Sequence, residues 1–164
     1  INSMKLIELL EHRKVANYNN WTRFTPASLE SDWQEYKHKE DYKWSKRAQM
    51  IGARWPLFKS RNDFKSALQA ASIVDVDSLE HVNNLTRNRS LKDIKMMVSD
   101  YQYPRDVDRI VDGITNNQQI PLPIILKGDK GLWIMAGNTR QAVTRVLGST
   151  PKALLVDVSS SSRD

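Results

Sequence analysis

Up to about residue 117 the apolar positions recur mainly at three- and four-residue intervals, and after it they gather into short continuous runs. The first pattern predicts helices and the second strands. A helix over residues 4–17, from Met4, carries Ile7, Leu10 and Lys14 along one edge, with Leu6 and Leu9 beside them. Thr25 followed by Pro26 is a cap and first-turn pair, and Ser31 with Gln34 is a second candidate capping box. From there one long helix is expected to about Arg54. Its stripe reads Trp33, Tyr36, Glu40, Trp44, Ala48, Ile51 and Trp55, until Pro56 blocks it. Ser60 with Asp63, Asp77 with Glu80, and Ser90 with Asp93 each open a shorter helix. Their apolar faces are Phe64, Leu68, Ala71, then Leu79, Val82, Leu85, then Ile94, Met97, Val98. Val107, Ile110, Val111 and Ile114 mark one more helix beyond Pro104.

Leu122-Pro123-Ile124-Ile125-Leu126 and Leu132-Trp133-Ile134-Met135-Ala136 read as two strands, and the glycine-containing link between them predicts an antiparallel hairpin. Gly137 leads into a helix through Ala142, Val143, Val146 and Leu147; Gly148 stands at its end, and residues 153–158 form the last strand. A helical region followed by β-β-α-β predicts an α+β protein with a small mixed sheet. The expected division is a helical region over 4–100, a sheet-bearing domain over 101–158 and a polar tail over 159–164.

Composition narrows the chemistry. Of 164 residues 40% are hydrophobic and 27% charged, which is ordinary for a globular chain. No apolar run approaches the roughly 18 residues of a membrane span, so a cytoplasmic protein is expected. Zero Cys removes disulfides, thiolate metal sites and cysteine nucleophiles. His12, His38 and His81 lie too far apart for a local metal motif, so no metal site is expected from side chains alone. The net charge of +6 favours a polyanionic partner, nucleotide or nucleic acid.

Two features invite a nucleic-acid reading. Trp21, Trp33, Trp44 and Trp55 recur every 11 or 12 residues, a spacing that suits a stacking stripe, yet three of them share a face with Ala48 and Ile51 and read better as core. Arg87, Arg89, Lys92, Lys95, Arg105 and Arg109 form a dense basic segment interleaved with Tyr101 and Tyr103. Such residues can follow a phosphate backbone, and the same pattern fits a solvated helical face.

The strongest chemical signal is Gly137-Asn138-Thr139-Arg140, where a strand passes through a glycine into a helix. Glycine lets backbone approach a ligand, the first-turn amides favour an anion, and the Arg140 fork can grip two phosphate oxygens. Arg145, on another face, is the lesser candidate. A purely structural use competes, since Asn138 with Gln141 is itself a capping box. No Walker motif occurs.

Residues 101–158 resemble the ParB/sulfiredoxin-like superfamily. Tyr101-Gln102-Tyr103-Pro104-Arg105 is similar to the Pro-Arg element before the family's first core helix, and residues 108–117 to that helix. The run 122–126 resembles its "PI-V" strand, and Gly137-Asn138-Thr139-Arg140-Gln141-Ala142 its signature of glycine, two variable residues, arginine and helix. The resemblance implies a nucleotide pocket at the strand-to-helix turn. Gly137, Asn138, Thr139 and Arg140 would hold phosphates, with Arg105 approaching from a facing loop. The family includes CTP-hydrolysing partition clamps, ATP-using sulfiredoxins, a free-serine kinase and proteins named as nucleases. Sulfiredoxin chemistry is excluded by the missing Cys, and the partition proteins' downstream nucleotide box and helix-turn-helix region are not in this sequence. Residues 1–100 match nothing in the family.

The expected function is therefore nucleotide binding, with phosphotransfer or hydrolysis of a nucleoside triphosphate or diphosphate carrying Mg2+. Asp100, Asp106 and Asp108, which flank Arg105, are the candidate catalytic carboxylates, Asp106 and Asp108 foremost, although Asp106 also suits the first turn of a helix. The alternatives are a DNA- or RNA-binding accessory protein without turnover, through the basic segment, and a ParB-like nuclease. The nuclease lacks the carboxylate or His cluster that metal-dependent cleavage requires.

Overall fold

The computed structural model describes residues 15–39, 43–83, 85, 90–99 and 106–160. Most of the helix expected over 4–17 lies outside these residues, as do Arg87, Arg89, Asp100, Arg105 and both Tyr101 and Tyr103.

The Thr25-Pro26 signal starts a helix as expected. The Ser28 amide donates to Thr25 Oγ1 at 3.0 Å and the Thr25 amide donates to Ser28 Oγ at 2.8 Å. This reciprocal cap opens α1, Pro26–Lys39, whereas Ser31 lies inside the helix and caps nothing. Of the long helix expected to Arg54, residues 40–42 lie outside the described ones; beyond them Lys43 and Trp44 form a π-helical turn that runs into α2, Ser45–Ile51. It is Gly52 and not Pro56 that ends it. Gly52 is left-handed (φ 68°), and the peptide amides of Lys130 and Asp129 bind the Ile51 and Gly52 carbonyls at 2.8 and 3.1 Å. The stripe is broken accordingly: Trp33 and Trp44 are 7% and 2% exposed, but Trp55, expected in the core, is 39% exposed.

Helix α3, Arg61–Ala70, begins where Ser60 Oγ accepts the Asp63 amide at 3.1 Å. Its far end is capped from outside, by Arg23 Nη1 donating to the Leu68 and Ala71 carbonyls. The helix expected from Asp77 and Glu80 does not form. A strand β2, Ser72–Asp75, a 3-10 turn, Val76–Ser78, and a short strand β3, Val82–Asn83, stand there instead. The reason is tertiary: Val76 is fully buried and the Asp77 carboxylate faces Arg145, so neither is available to a helix start.

Helices α4, Leu91–Ser99, and α5, Val107–Thr115, follow the sequence pattern. Beyond them come β4, Ile120–Pro121, β5, Ile124–Lys127, β6, Leu132–Ala136, α6, Asn138–Val146, and β7, Lys152–Asp157. β5 and β6 form the antiparallel hairpin, β7 lies parallel to β5, β2 runs antiparallel to β7 and β3 parallel to β6. The five-stranded mixed sheet is thus ordered β2-β7-β5-β6-β3, and β1, Trp21–Thr22, pairs separately with β4. The protein is α+β. Its sheet takes both edge strands from before residue 100, so the strands are not confined to the expected 101–158 unit.

Strand periodicity assigns the two faces. Ile124, Leu126, Met135, Leu154 and Val156 meet the aromatic residues of α1–α3, among them Trp33, Tyr36, Trp44 and Phe64. Ile125, Ile134 and Ala153 point the other way, onto Val76. A third cluster joins α4, α5 and α6 through Ile94, Val98, Val111, Ile114, Val143 and Leu147. Among the described residues no helix is long and apolar enough to cross a membrane.

Candidate functional site

β6 delivers the chain to Gly137, which adopts φ 85° and ψ 20° and caps α6 without any side-chain hydrogen bond. The left-handed conformation suits glycine, and so does the space. A Cβ here would lie 2.6 Å from Pro123 Cα and 2.7 Å from Arg140 Nη2. The turn is therefore wedged between the residue entering β5 and a guanidinium folded back over it from the first turn of α6. Pro123 is itself fixed, its carbonyl accepting the Leu154 amide at 2.8 Å. The expected cap is displaced by one residue: Gly137, not Asn138, is the N-cap.

Asn138 and Gln141 still meet, but side chain to side chain. Gln141 Nε2 donates to Asn138 Oδ1 at 2.9 Å, and Gln141 Oε1 accepts from Arg145 Nη1 at 2.6 Å. Arg145 Nη2 continues the chain to Asp77 Oδ1 on the 3-10 turn. Gln141 is fully buried, so this network fixes the base of the turn from below. It also explains Arg145, which ties α6 to the segment between β2 and β3. The part played by Asp77 is legible only in three dimensions, because 68 residues separate it from Arg145.

The four signature residues differ in what they present. Thr139 is 7% exposed, so the hydroxyl expected from sequence to meet an anion belongs to a buried side chain. Arg140 is half-buried, with its guanidinium beside the glycine. Arg105 lies outside the described residues.

The expected carboxylates do other work. Asp106 is the N-cap of α5, Oδ1 accepting the Arg109 amide at 3.0 Å, the first-turn role that the sequence also allowed. Asp108 pairs with Lys95 at 3.0 Å and links α5 to α4, so this candidate base and this candidate phosphate contact occupy each other. Of the basic segment, exposed Lys92 and Arg109 remain among the described residues. Among those residues no group of three His, Asp or Glu side chains is placed to hold a metal.

One arrangement was invisible in the sequence. The Arg47 guanidinium carbon lies 4.8 Å from the Trp44 ring and 4.9 Å from the Trp133 ring, joining α2 to β6. Burial pulls its pKa below the ordinary arginine value, and the charge of Glu35 opposes that shift. No protein-family model matches this chain, and no curated protein or solved structure does.

Proposed function

We propose that the β6–α6 turn binds the phosphates of a nucleotide, in the manner implied by the resemblance of residues 101–158 to the ParB/sulfiredoxin-like superfamily. One observation carries the reading. Gly137 opens α6 in a left-handed conformation, no side chain caps the helix, and Arg140 Nη2 lies over the glycine. A helix N-terminus carries about half a positive charge, and a guanidinium beside it supplies a planar donor fork. Asn138 and Thr139 add first-turn backbone, and Gln141 with Arg145 holds the turn rigid.

Magnesium would arrive with a nucleotide, bound chiefly by phosphate oxygens and water. A protein-held magnesium does not fit the described residues, since Asp106 caps α5 and Asp108 pairs with Lys95. Binding, and not phosphotransfer or hydrolysis, is accordingly the function this geometry supports. A nuclease is disfavoured on the same ground, and the nucleic-acid reading of α4 and α5 loses Lys95 to Asp108.

The test is thermal stabilisation by ATP, ADP, CTP and GTP, each with and without magnesium, followed by titration calorimetry on the best of them. Arg140→Ala should weaken binding by about 1.5 to 3 kcal/mol, the range for a charge-assisted contact, while leaving the melting curve without nucleotide cooperative. An affinity unchanged by that substitution removes the turn from the site.

A further inference from the structure

The positive charge of this protein has one source. Residues 43–62 hold Lys43, Lys46, Arg47, Arg54, Lys59 and Arg61 and no Asp or Glu, which accounts for the whole net charge of +6. The rest of the chain carries 19 residues of each sign. Two of the six are engaged within the fold: Arg61, exposed, pairs with Glu30 at 2.8 Å, and Arg47 is stacked between Trp44 and Trp133. Lys43, Lys46 and Lys59 are exposed and Arg54 is half-buried.

The fold adds to this segment. The β5–β6 turn lies against the end of α2 through the 2.8 Å bond from Lys130 N to the Ile51 carbonyl, bringing exposed Lys127 and Lys130 alongside. Val158 then bridges Lys127 and Arg54, its amide donating to the Lys127 carbonyl and its carbonyl accepting the Arg54 amide, both at 2.9 Å. Besides Glu30 on Arg61 and Glu35 near Arg47, Asp129 and Asp157 border the surface among the described residues, and a serine engages each of these two. Asp129 accepts the Ser160 hydroxyl, and Asp157 Oδ1 accepts the Ser159 amide at 3.0 Å and its hydroxyl at 2.6 Å.

Trp55, 39% exposed, lies on this basic surface. The backbone beside it is fixed by the Arg54 bond to Val158 and by the bridge between Ala53 and Ser159. Met50, 62% exposed, lies at the adjoining end of α2. An exposed indole on a fixed backbone, flanked by cations, is a platform for an unpaired base whose neighbouring phosphates meet lysine and arginine. Double-stranded nucleic acid offers such a ring no free base face. A lipid surface would call for a broader apolar face than Met50 and Trp55 present.

We infer that the surface formed by the end of α2, the Arg54-to-Lys59 loop and the β5–β6 turn binds single-stranded nucleic acid, with Trp55 as the stacking residue. This surface is separate from the α6 turn and from the basic residues of α4 and α5. The test is fluorescence anisotropy of a labelled 15-nucleotide oligo(dT) over a range of KCl concentrations. The wild-type protein should bind, with affinity falling steeply as salt rises. Trp55→Ala should weaken binding by roughly 5- to 150-fold and Trp55→Phe by less, because a ring remains to stack. Lys59→Glu with Lys130→Glu should weaken binding and flatten the salt dependence by about 0.7 log unit per lost phosphate contact. Arg140→Ala should bind the oligonucleotide as wild type does, even where it has lost mononucleotide affinity. Four results would overturn the inference: no binding at low salt, equal affinity in folded Trp55→Ala, tighter binding of the duplex or of anionic vesicles, or loss of oligonucleotide binding in Arg140→Ala.

Discussion

Tyr18 shows what a single residue can carry in this fold. Its amide donates to Ser149 Oγ at 2.6 Å, and its single hydroxyl proton is shared between the Gln118 carbonyl and, at 3.1 Å, that of Asn20. Burial pushes the phenol up to about 12, and a backbone contact at Ile120 only partly offsets it. The folded state thus holds this proton more tightly than the unfolded chain, whose tyrosines titrate near 10. Its contribution to stability is complete below pH 10 and lost as the pH rises toward 12. In an alkaline titration followed by phenolate absorbance, Tyr18→Phe should remove one equivalent from the part of the curve above about pH 11 and leave the part near pH 10 unchanged. A Tyr18→Phe curve that loses its equivalent near pH 10 instead contradicts the burial argument. The tryptophans mark the limit of residue-scale reading. Periodicity treats Trp33, Trp44 and Trp55 alike, but the helix carrying that period stops at Gly52, which leaves Trp55 at the surface.

At the scale of elements, local signals succeeded where the chain's own neighbours decide the structure. The strand over 132–136, the β5–β6 hairpin and the helix after Gly137 stand where the pattern put them. Ser90 and Asp93 form the reciprocal cap they promised, at 3.1 and 3.5 Å. The same spacing at Asp77 and Glu80 misled, because partners 68 and more residues away, Arg145 among them, claim that segment. β2 escaped notice for a related reason: four residues between two helical patterns become a strand only by pairing with β7. The turn at Gly137 was legible as a glycine requirement, but its wedge against Pro123 was not. That wedge makes a prediction. Gly137→Ala sets a side chain at positive φ and a methyl 2.6 Å from Pro123 Cα, so it should destabilise the protein by about 1 to 3 kcal/mol, read in urea denaturation. It should also weaken nucleotide binding more than Arg140→Ala does, since both the amides and the guanidinium must shift. Stability equal to wild type would mean that the turn relaxes freely, and the rigid cradle would go with it.

For the whole molecule, composition and pattern were enough for the α+β class, while the partition of the chain was not readable from them. The expected boundary near residue 100 follows the change from helical to strand-like spacing, and the sheet ignores it. β2 and β3 close the two edges, and α1–α3 cover the face bearing Ile124, Leu126, Leu154 and Val156. A fragment of residues 101–160 would expose that face and leave β6 and β7 as open edges. Exposing four large aliphatic side chains costs about 1.5 to 3 kcal/mol each, together about 6 to 12 kcal/mol, which is comparable to the roughly 5 to 15 kcal/mol that ordinarily keeps a domain folded. The fragment should therefore show no cooperative thermal transition and poorly dispersed amide resonances, where the full chain shows both a sharp transition and dispersion. If it melts cooperatively, the C-terminal strands and helices are an autonomous unit and the N-terminal helices are an attachment to it. The nucleotide reading and the oligonucleotide reading would then separate physically. The fragment would retain the Gly137 turn and lose Trp55 and the 43–62 charge, and mononucleotide binding without oligonucleotide binding is what it should display.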